Sequence, residues 1–482
     1  MKILLINPPR WSELVGKNPS IIEKHRGFNP PLGLLYLTTA IKQFTDYDIE
    51  ILDTQPLNWT YSQLENHLKG KAIDVVGITA MTFTLVDVSK TVRLIRQILP
   101  KAKIVLGGPH IHLFPSETLN LKGVDFALMG EAEYSFVKFL ENIENTNEYP
   151  NIPGLVYKGK ENQVIQNDFI PLNNLDEIPF PKRDLLDVKS YNSLLSRGAL
   201  STIIISSRGC PFQCAFCDRP RSPVTSCFRF RSAKNVVDEL CECLELGIKD
   251  FLFYDDTFTV NRGRVLDVCE EILARKLNIR WDMRTRVDTV DEEMLKCLKR
   301  AGCMAIHYGV ESGNDKILKE IKKGFTLQKV KETFKLTQKT GIETLAYFMI
   351  GLPSEDRNDI QDSFNLAKEL KPHYAHFTIF SPYPGTELYD RGLEKGIIKE
   401  KDVWKKFADD PTEEFKIPVW EENFSRDELY EMIVKFYKRF YLRPSYILSR
   451  MLKVRSRDEF LRKARAGLSV FRMKKDDVDT LK

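Results

Sequence analysis

Two series of short apolar runs alternate with stretches of helical period, and this alternation constrains the fold more than any other property of the chain. In the first series, KILLIN (2–7), YDIEILD (47–53), DVVGITA (74–80), KIVLGG (103–108) and DFALMG (125–130) read as strands. Between them, PPLGLLYLTTAIKQF (30–44), SQLENHLKG (62–70) and LVDVSKTVRLIRQIL (85–99) repeat apolar residues at helical spacing. Strand and helix in alternation predict an α/β fold: a doubly wound, Rossmann-like parallel sheet covered on both faces. Ligands of such sheets sit at the carboxyl ends of the strands. GITAMT, GGPHIH and MGEAE fall there.

A second series begins near Thr202 with TIIIS (202–206), DFLFYDD (250–256), IRWDMRTR (279–286), MAIHYGVES (304–312), TLAYFMIGLP (344–353) and HFTIFSPYPGT (376–386), separated by helical patterns. Six strands with intervening helices predict a full or partial (β/α) barrel. At 482 residues the chain exceeds what one core organises. The expected division is a first domain over 1–145, a linker over 146–195, a barrel over 196–395 and a helical C-terminal region over 396–482. The linker carries LNNLDEIPFPKRDLLD (172–187), with prolines at 179 and 181 and little periodicity.

The net charge of +5 is unevenly placed. Lys435 to Lys475 holds 14 Lys/Arg against Asp458 and Glu459, so this tail carries about +12 and the remainder about −7. Within it, Leu429, Ile433, Phe436, Tyr437 and Phe440 recur at helical spacing among Lys435, Lys438 and Arg439. Such helices lie on anionic membrane surfaces, or are core helices with a solvated cationic face. Both readings stand; the first would give a lipid-like or other hydrophobic small-molecule substrate. No nucleic-acid module is present in the pattern, and aromatics at helical period fit packing better than base stacking. The apolar run in MKILLINPPR is too short for a signal peptide or a span, so a cytoplasmic location is expected.

All nine cysteines lie between Cys210 and Cys303, which in a reducing compartment points to a metal or redox site. Cys241, Cys243, Cys269, Cys297 and Cys303 fall in helix or strand patterns and read as packing residues. Cys210, Cys214 and Cys217 share one Gly- and Pro-punctuated loop, RGCPFQCAFC. A zinc site wants four ligands, usually as two pairs, and here there is no second C-x2-C and no nearby histidine. Three thiolates can instead hold three irons of a [4Fe–4S] cluster and leave the fourth iron open.

RGCPFQCAFC resembles the cluster loop of the radical S-adenosylmethionine (SAM) superfamily. The resemblance implies a cluster on Cys210, Cys214 and Cys217, SAM on the open iron, and reductive cleavage of SAM to a 5′-deoxyadenosyl radical. It places Phe216 against the adenine. Asp255 and Asp256 in FYDDTF stand where relatives bind the SAM amino group, although the usual Gly-Gly-Glu is absent. One of Arg284 and Arg286 in RTRVD would hold the carboxylate, Glu311 and Ser312 in YGVESG the ribose or methionine end, and the turn at Gly351 in FMIGLPSED would approach the adenine. A low-potential electron donor is an implied partner.

NPPLGLLYLTTAI, VVGITAMT, VLGGPHIHLFP and DFALMGEAEYSF are similar to the cobalamin-binding domain joined to a radical SAM barrel in one subclass. The implied cobalamin contacts are Thr79, Thr82, Gly107, Gly108, Pro109, His110, Gly130 and Glu131. The Asp-x-His-x-x-Gly motif that supplies a histidine beneath cobalt in many cobalamin proteins is absent, so His110 is not assigned as a cobalt ligand. The resemblance reaches to about residue 395. The methylthiotransferase type is set aside, because no cysteine precedes Cys210 to hold a second cluster. The implied activity is hydrogen abstraction from an unactivated carbon followed by methyl transfer from methylcobalamin. Ring formation, rearrangement or oxidation are the alternatives, and a cobalamin- or redox-responsive binding protein is the alternative of another class.

Overall fold

The computed structural model describes residues 1–14, 27–193, 200–222, 224–451, 464 and 467–474. The first sheet contains five parallel strands in spatial order Asp48–Asp53, Lys2–Asn7, Val75–Thr79, Lys103–Gly107, Phe126–Leu128. The order reverses between Lys2–Asn7 and Val75–Thr79, and ligands of doubly wound sheets bind at such a reversal. KILLIN is apolar at successive positions because both faces of its strand are covered. Leu4 and Ile6 pack with Leu64, Leu85 and Ile95, while Ile3 and Leu5 pack with Leu34, Ile41 and Phe136.

The segments before and after the barrel pack onto the two sheets. The segment expected as a linker over 146–195 adds an antiparallel hairpin, Leu155–Lys158 and Val164–Gln166, to the edge of the first sheet. The strands are too short for their period to stand out, but Leu155 and Val156 are buried against the sheet's own core. The C-terminal region packs on both cores. Trp404, Phe407 and Ile417 join the first domain's core, and the helix Arg426–Tyr441 joins the barrel's.

The second sheet runs in chain order: Ser201–Ile204, Asp250–Phe253, Arg280–Thr285, Cys303–Glu311, Glu343–Ile350 and Tyr374–Ile379, all parallel. The first and sixth strands do not pair, so the barrel is partial. Helices between the strands start on side-chain caps: Ser232, Asn261, Asp291, Thr326 and Asp356 each accept a backbone N–H of the first turn. Each such cap contributes about 1 kcal/mol. Tyrosines of Arg426–Tyr441 cover the sixth strand's unpaired edge. The Tyr441 hydroxyl accepts from Ala375 N at 3.0 Å and donates to Ala375 O at 2.7 Å, and the Tyr437 hydroxyl accepts from Phe377 N at 3.2 Å. At the other edge, Ile203 packs on Leu32, Leu35 and Tyr36 of the first domain. The same helix, Leu32–Phe44, therefore serves both cores.

Candidate active site

The strand-end loops of the two sheets face each other. Phe83 meets Tyr383 edge-on with centroids 6.5 Å apart, and Leu113 sits so close that a Cβ on Gly385 would come within 2.9 Å of it. Glu131 and Glu133, after the fifth strand of the first sheet, are clasped by Arg208 and Arg229, which flank the cysteine loop. Arg229 binds Glu131 through both η nitrogens at 2.8 Å, and Arg208 reaches Glu133 at 2.5 Å and Glu131 at 3.3 Å. Burial alone would raise the Glu131 carboxyl, but Arg229 and Arg208 hold it below the usual range. Glu131, expected as a corrin contact, is thus committed to joining the domains.

Backbone bonds anchor the cysteine loop. Cys210 N donates to Thr225 O at 2.9 Å, Ala215 N to Ile321 O at 3.0 Å, and Leu388 N to Ala215 O at 3.0 Å. Gly209, at φ +87°, has no room for a side chain: a Cβ would lie 2.1 Å from Cys227 O. The three thiols have separate neighbours. Cys210 Sγ lies 3.7 Å from Thr257 Oγ1, Cys217 Sγ 3.8 Å from Asp218 Oδ1, and Arg286 Nη1 donates to Cys214 Sγ at 3.5 Å. Among the described residues no three ligand side chains converge as one metal ion requires. A cubane takes each thiolate on a different iron, so it does not need the three sulfurs on a single ion. Burial pushes the Cys214 thiol up and that of Cys217 to about 12. Coordination by iron is what deprotonates such thiols.

Around the loop, the expected SAM residues divide. Asp255 is fully engaged: its carboxylate accepts Ser206 N at 2.7 Å and the Ser206 and Ser207 hydroxyls at 2.6 Å each, and Arg264 pairs with it at 3.4 Å. It ties the first two barrel strands together, whereas the Asp256 side chain is partly exposed and pairs with Arg219 at 3.0 Å. Arg286 lies against the cysteine loop, with its guanidinium 3.8 Å from the Phe212 centroid and two bonds to Asp288 at 2.9 and 2.8 Å. Arg284 lies over the Tyr254 ring at 4.0 Å. Glu311 holds a left-handed φ of +70° at a break in strand register after Gly309. Such strain clusters at functional sites. Its carboxylate binds Lys323 Nζ at 2.8 Å, and Lys323 in turn lies 5.4 Å from the Phe216 centroid. Ser312 is buried in the following turn, where its hydroxyl accepts Asn314 N at 3.3 Å. Gly351 N and Leu352 N donate to buried Glu355 at 2.7 and 3.0 Å, and burial raises that carboxyl to about 8. Lys323 and Glu355 were not singled out in the sequence, where each looks like one more charge in a polar run.

At the first sheet's edge the lining is largely backbone. Nothing lies within 4 Å of where a Cβ on Gly107 would be, and Gly108, at φ +108°, crosses Ala80 so closely that a Cβ would meet its carbonyl at 2.7 Å. Thr79 Oγ1 borders the same crossing, and Pro109 leads into the short helix His110–Leu113. Met81 and Leu113 are exposed beside it. An open, backbone-walled edge with apolar flanks fits a broad flat corrin. His110 is fully enclosed, its Nδ1 3.1 Å from Thr82 Oγ1 and its Nε2 without a partner among the described residues. Burial lowers its pKa to about 3, so it is a neutral ring inside the wall. Gly130 lies beneath the Phe169 ring, and its N–H donates to His112 Nε2 at 3.4 Å.

Residues 204–367 match the Radical SAM superfamily, and residues 20–140 match the B12 binding domain. An uncharacterized methyltransferase of Pyrococcus horikoshii is 33% identical over 456 residues, covering 93% of this chain and 94% of that protein. The chain belongs to the B12-binding radical SAM enzymes. The family's cofactors are a [4Fe–4S] cluster, SAM and cobalamin. Another relative of this radical SAM protein is the anaerobic magnesium-protoporphyrin IX monomethyl ester cyclase of Rubrivivax gelatinosus, 24% identical over 445 residues, or 90% of this chain and 77% of that one. Among solved structures, the cobalamin-dependent SAM radical enzyme OxsB superposes with a TM-score of 0.74 at 18% identity, over 98% of this chain and 72% of that chain. That likeness concerns the fold.

Proposed function

We propose that this B12-binding radical SAM enzyme methylates an unactivated carbon of a small-molecule substrate held between the two strand-end faces. The observation that carries this reading is the apposition itself: the cysteine loop and the Gly107–Gly108 edge belong to different sheets, yet the Glu131–Arg229 and Glu133–Arg208 pairs fix them against each other. When bound, the reduced cluster supplies the electron that splits SAM to a radical able to take hydrogen from carbon, and cobalamin supplies the methyl group. The chain's own part is holding and orienting. Cys210, Cys214 and Cys217 would hold the cluster, with Arg286, beside Cys214, holding the SAM carboxylate. Asp256 would take the SAM amino group, Glu311 the ribose or methionine end, and Phe216 with the Gly351 turn the adenine. Thr79, Gly107, Gly108 and Pro109 would form the corrin's platform. Ser206, Asp255 and Arg264 hold the ends of the first two barrel strands together.

The direct test is turnover under anaerobic reduction with SAM and methylcobalamin. Formation of 5′-deoxyadenosine together with S-adenosylhomocysteine is expected, since one SAM is cleaved and another restores the methyl donor. Deoxyadenosine alone would favour ring formation, rearrangement or oxidation.

We also propose that the basic tail meets anionic membrane through the helix Pro444–Met451. Ile447, Leu448 and Met451 are exposed there, beside Arg443 and Arg450. The apolar face of Arg426–Tyr441 is unavailable, because Leu429, Ile433, Phe436, Tyr437 and Phe440 are buried on the barrel. Residues 452–463, 465–466 and 475–482 of the tail lie outside the described residues. No helix among the described residues is long and apolar enough to cross a membrane. Flotation with anionic liposomes should weaken on removal of residues 444–482; unchanged flotation would refute the tail's role.

A further inference from the structure

Side-chain contacts join one residue from each of five neighbouring barrel strands across the mouth. Phe253 pairs with Met283, which sets Tyr254 beside Arg284; Arg284 pairs with His307, whose partner on the next strand is Leu345, while Tyr347, two residues beyond Leu345, pairs with Gly309 and with His376. The Tyr347 side chain spans that two-residue offset back to His307. Arg284 lies 4.0 Å from the Tyr254 centroid, the Tyr347 hydroxyl 3.4 Å from His307 Nδ1, and the Tyr347 and His376 rings 5.7 Å apart. Alternate residues of the same strands, such as Met283, Tyr308, Phe348 and Phe377, face the opposite way into the core. Tyr254 is 40% exposed, so the cluster opens to the mouth.

Arg284 is the cation of this cluster, and no described carboxylate answers it. The groups that interact with it are the phenols of Tyr254 and Tyr347 and the ring of His307, and its Nε is buried without a hydrogen-bond partner among the described residues. Other enclosed arginines of the site are each matched: Arg264 by Asp255, Arg286 by Asp288 and Arg229 by Glu131. Nearby acids are engaged elsewhere. Glu311 binds Lys323, and Asp282 lies toward His307, 4.0 Å from its Nε2. His307 adds no charge, because burial and then Arg284 itself keep its ring neutral. A guanidinium enclosed without a counter-anion is costly until an anion joins it, and phenol hydroxyls beside it can donate to the same oxygens.

We propose that this cluster receives a carboxylate or phosphate group of the substrate, with Arg284 as its anchor, so that the enzyme acts on an acidic small molecule. The proposal rests on the reading of the barrel mouth as the substrate site. The other source of a carboxylate is SAM itself, but SAM is tied to the cluster, where Arg286 stands, and none of Arg284's described contacts involves the cysteine loop.

The test uses the holoenzyme with phenyl phosphate as the anionic probe and benzyl alcohol as its neutral counterpart. Calorimetric titration into SAM-loaded wild-type enzyme should show saturable binding of phenyl phosphate and none of benzyl alcohol. R284Q should weaken phenyl phosphate at least about tenfold, the loss of one charge-assisted contact, while keeping the wild-type preference for SAM over decarboxylated SAM. Absence of phenyl phosphate binding, equal binding to R284Q, or collapse of the SAM preference in R284Q would overturn the proposal. A second measurement needs no variant: in wild-type enzyme SAM and phenyl phosphate should bind together, and mutual exclusion would assign Arg284 to SAM and refute the substrate role. Iron and cobalt content, measured on the same samples, reports separately on the two-cofactor reading.

Discussion

The two sheets expose the same kind of strand-end edge and equip it in opposite ways. The first sheet offers backbone, with Gly107 open and Gly108 crossing Ala80, and His110 there is enclosed and neutral. The barrel mouth offers charge: Asp256, Arg284, Arg286, Glu311 and Lys323, most of them paired before any ligand arrives. A broad, preformed corrin is gripped by shape, and close backbone approach suits it. A zwitterion such as SAM and a reacting substrate need directed charge, and pairing keeps those charges oriented. The difference implies that the edges should fail separately when mutated.

The largest expected effect is on the barrel side. Cys214→Ser should abolish iron loading and bring SAM cleavage to background, with cobalamin still retained; iron and cobalt analysis reads both. Gly108→Val is the converse. It forces a side chain against the Ala80 carbonyl at a φ that valine resists, and should release cobalamin while iron stays at the wild-type level. Joint loss of both cofactors in either variant would break the separation.

Glu131→Ala attacks the clasp between the edges. Arg229, 8% exposed, would be left enclosed without its carboxylate, a loss of about 3 kcal/mol or more by analogy with other buried pairs. Denaturant titration should show it, with both cofactors bound more weakly. An unchanged midpoint would mean the clasp carries no coupling.

The smallest effect is a slope. Burial holds His110 and His307, one at each edge, near a pKa of about 3. Between the unfolded value, roughly 6.5, and the folded one, only the unfolded chain takes up the proton, so stability falls as pH falls, by at most about 1.4 kcal/mol per pH unit for each ring. Melting temperature measured from pH 7.5 to 5 should decline, and H110Q and H307Q should each flatten the decline. Equal slopes in wild type and both variants would show that these rings do not control it.

Much of this was legible in the sequence where local pattern and chemistry coincide. The strand periods predict both sheets, and the spacing of Cys210, Cys214 and Cys217 places all three on one loop, as the structure has them. The roles of Glu131 and Asp255 were not legible, because a carboxylate at a strand end looks the same whether it faces a ligand or an arginine distant in sequence. Arg229 lies 98 residues from Glu131, and no local period records such a pairing. The hairpin Leu155–Lys158 and Val164–Gln166 was hidden by its brevity. The face of Arg426–Tyr441 was patterned correctly as amphipathic, yet periodicity does not say whether protein or lipid covers it.

The central claim is that one chain carries both cofactors on facing edges. Anaerobic purification with cobalamin supplied, followed by iron, sulfide and cobalt analysis of a single gel-filtered sample, tests it most directly. The account predicts about four irons and one cobalt per chain. Iron without cobalt would contradict it, leaving a radical SAM barrel whose first domain only shapes the substrate site.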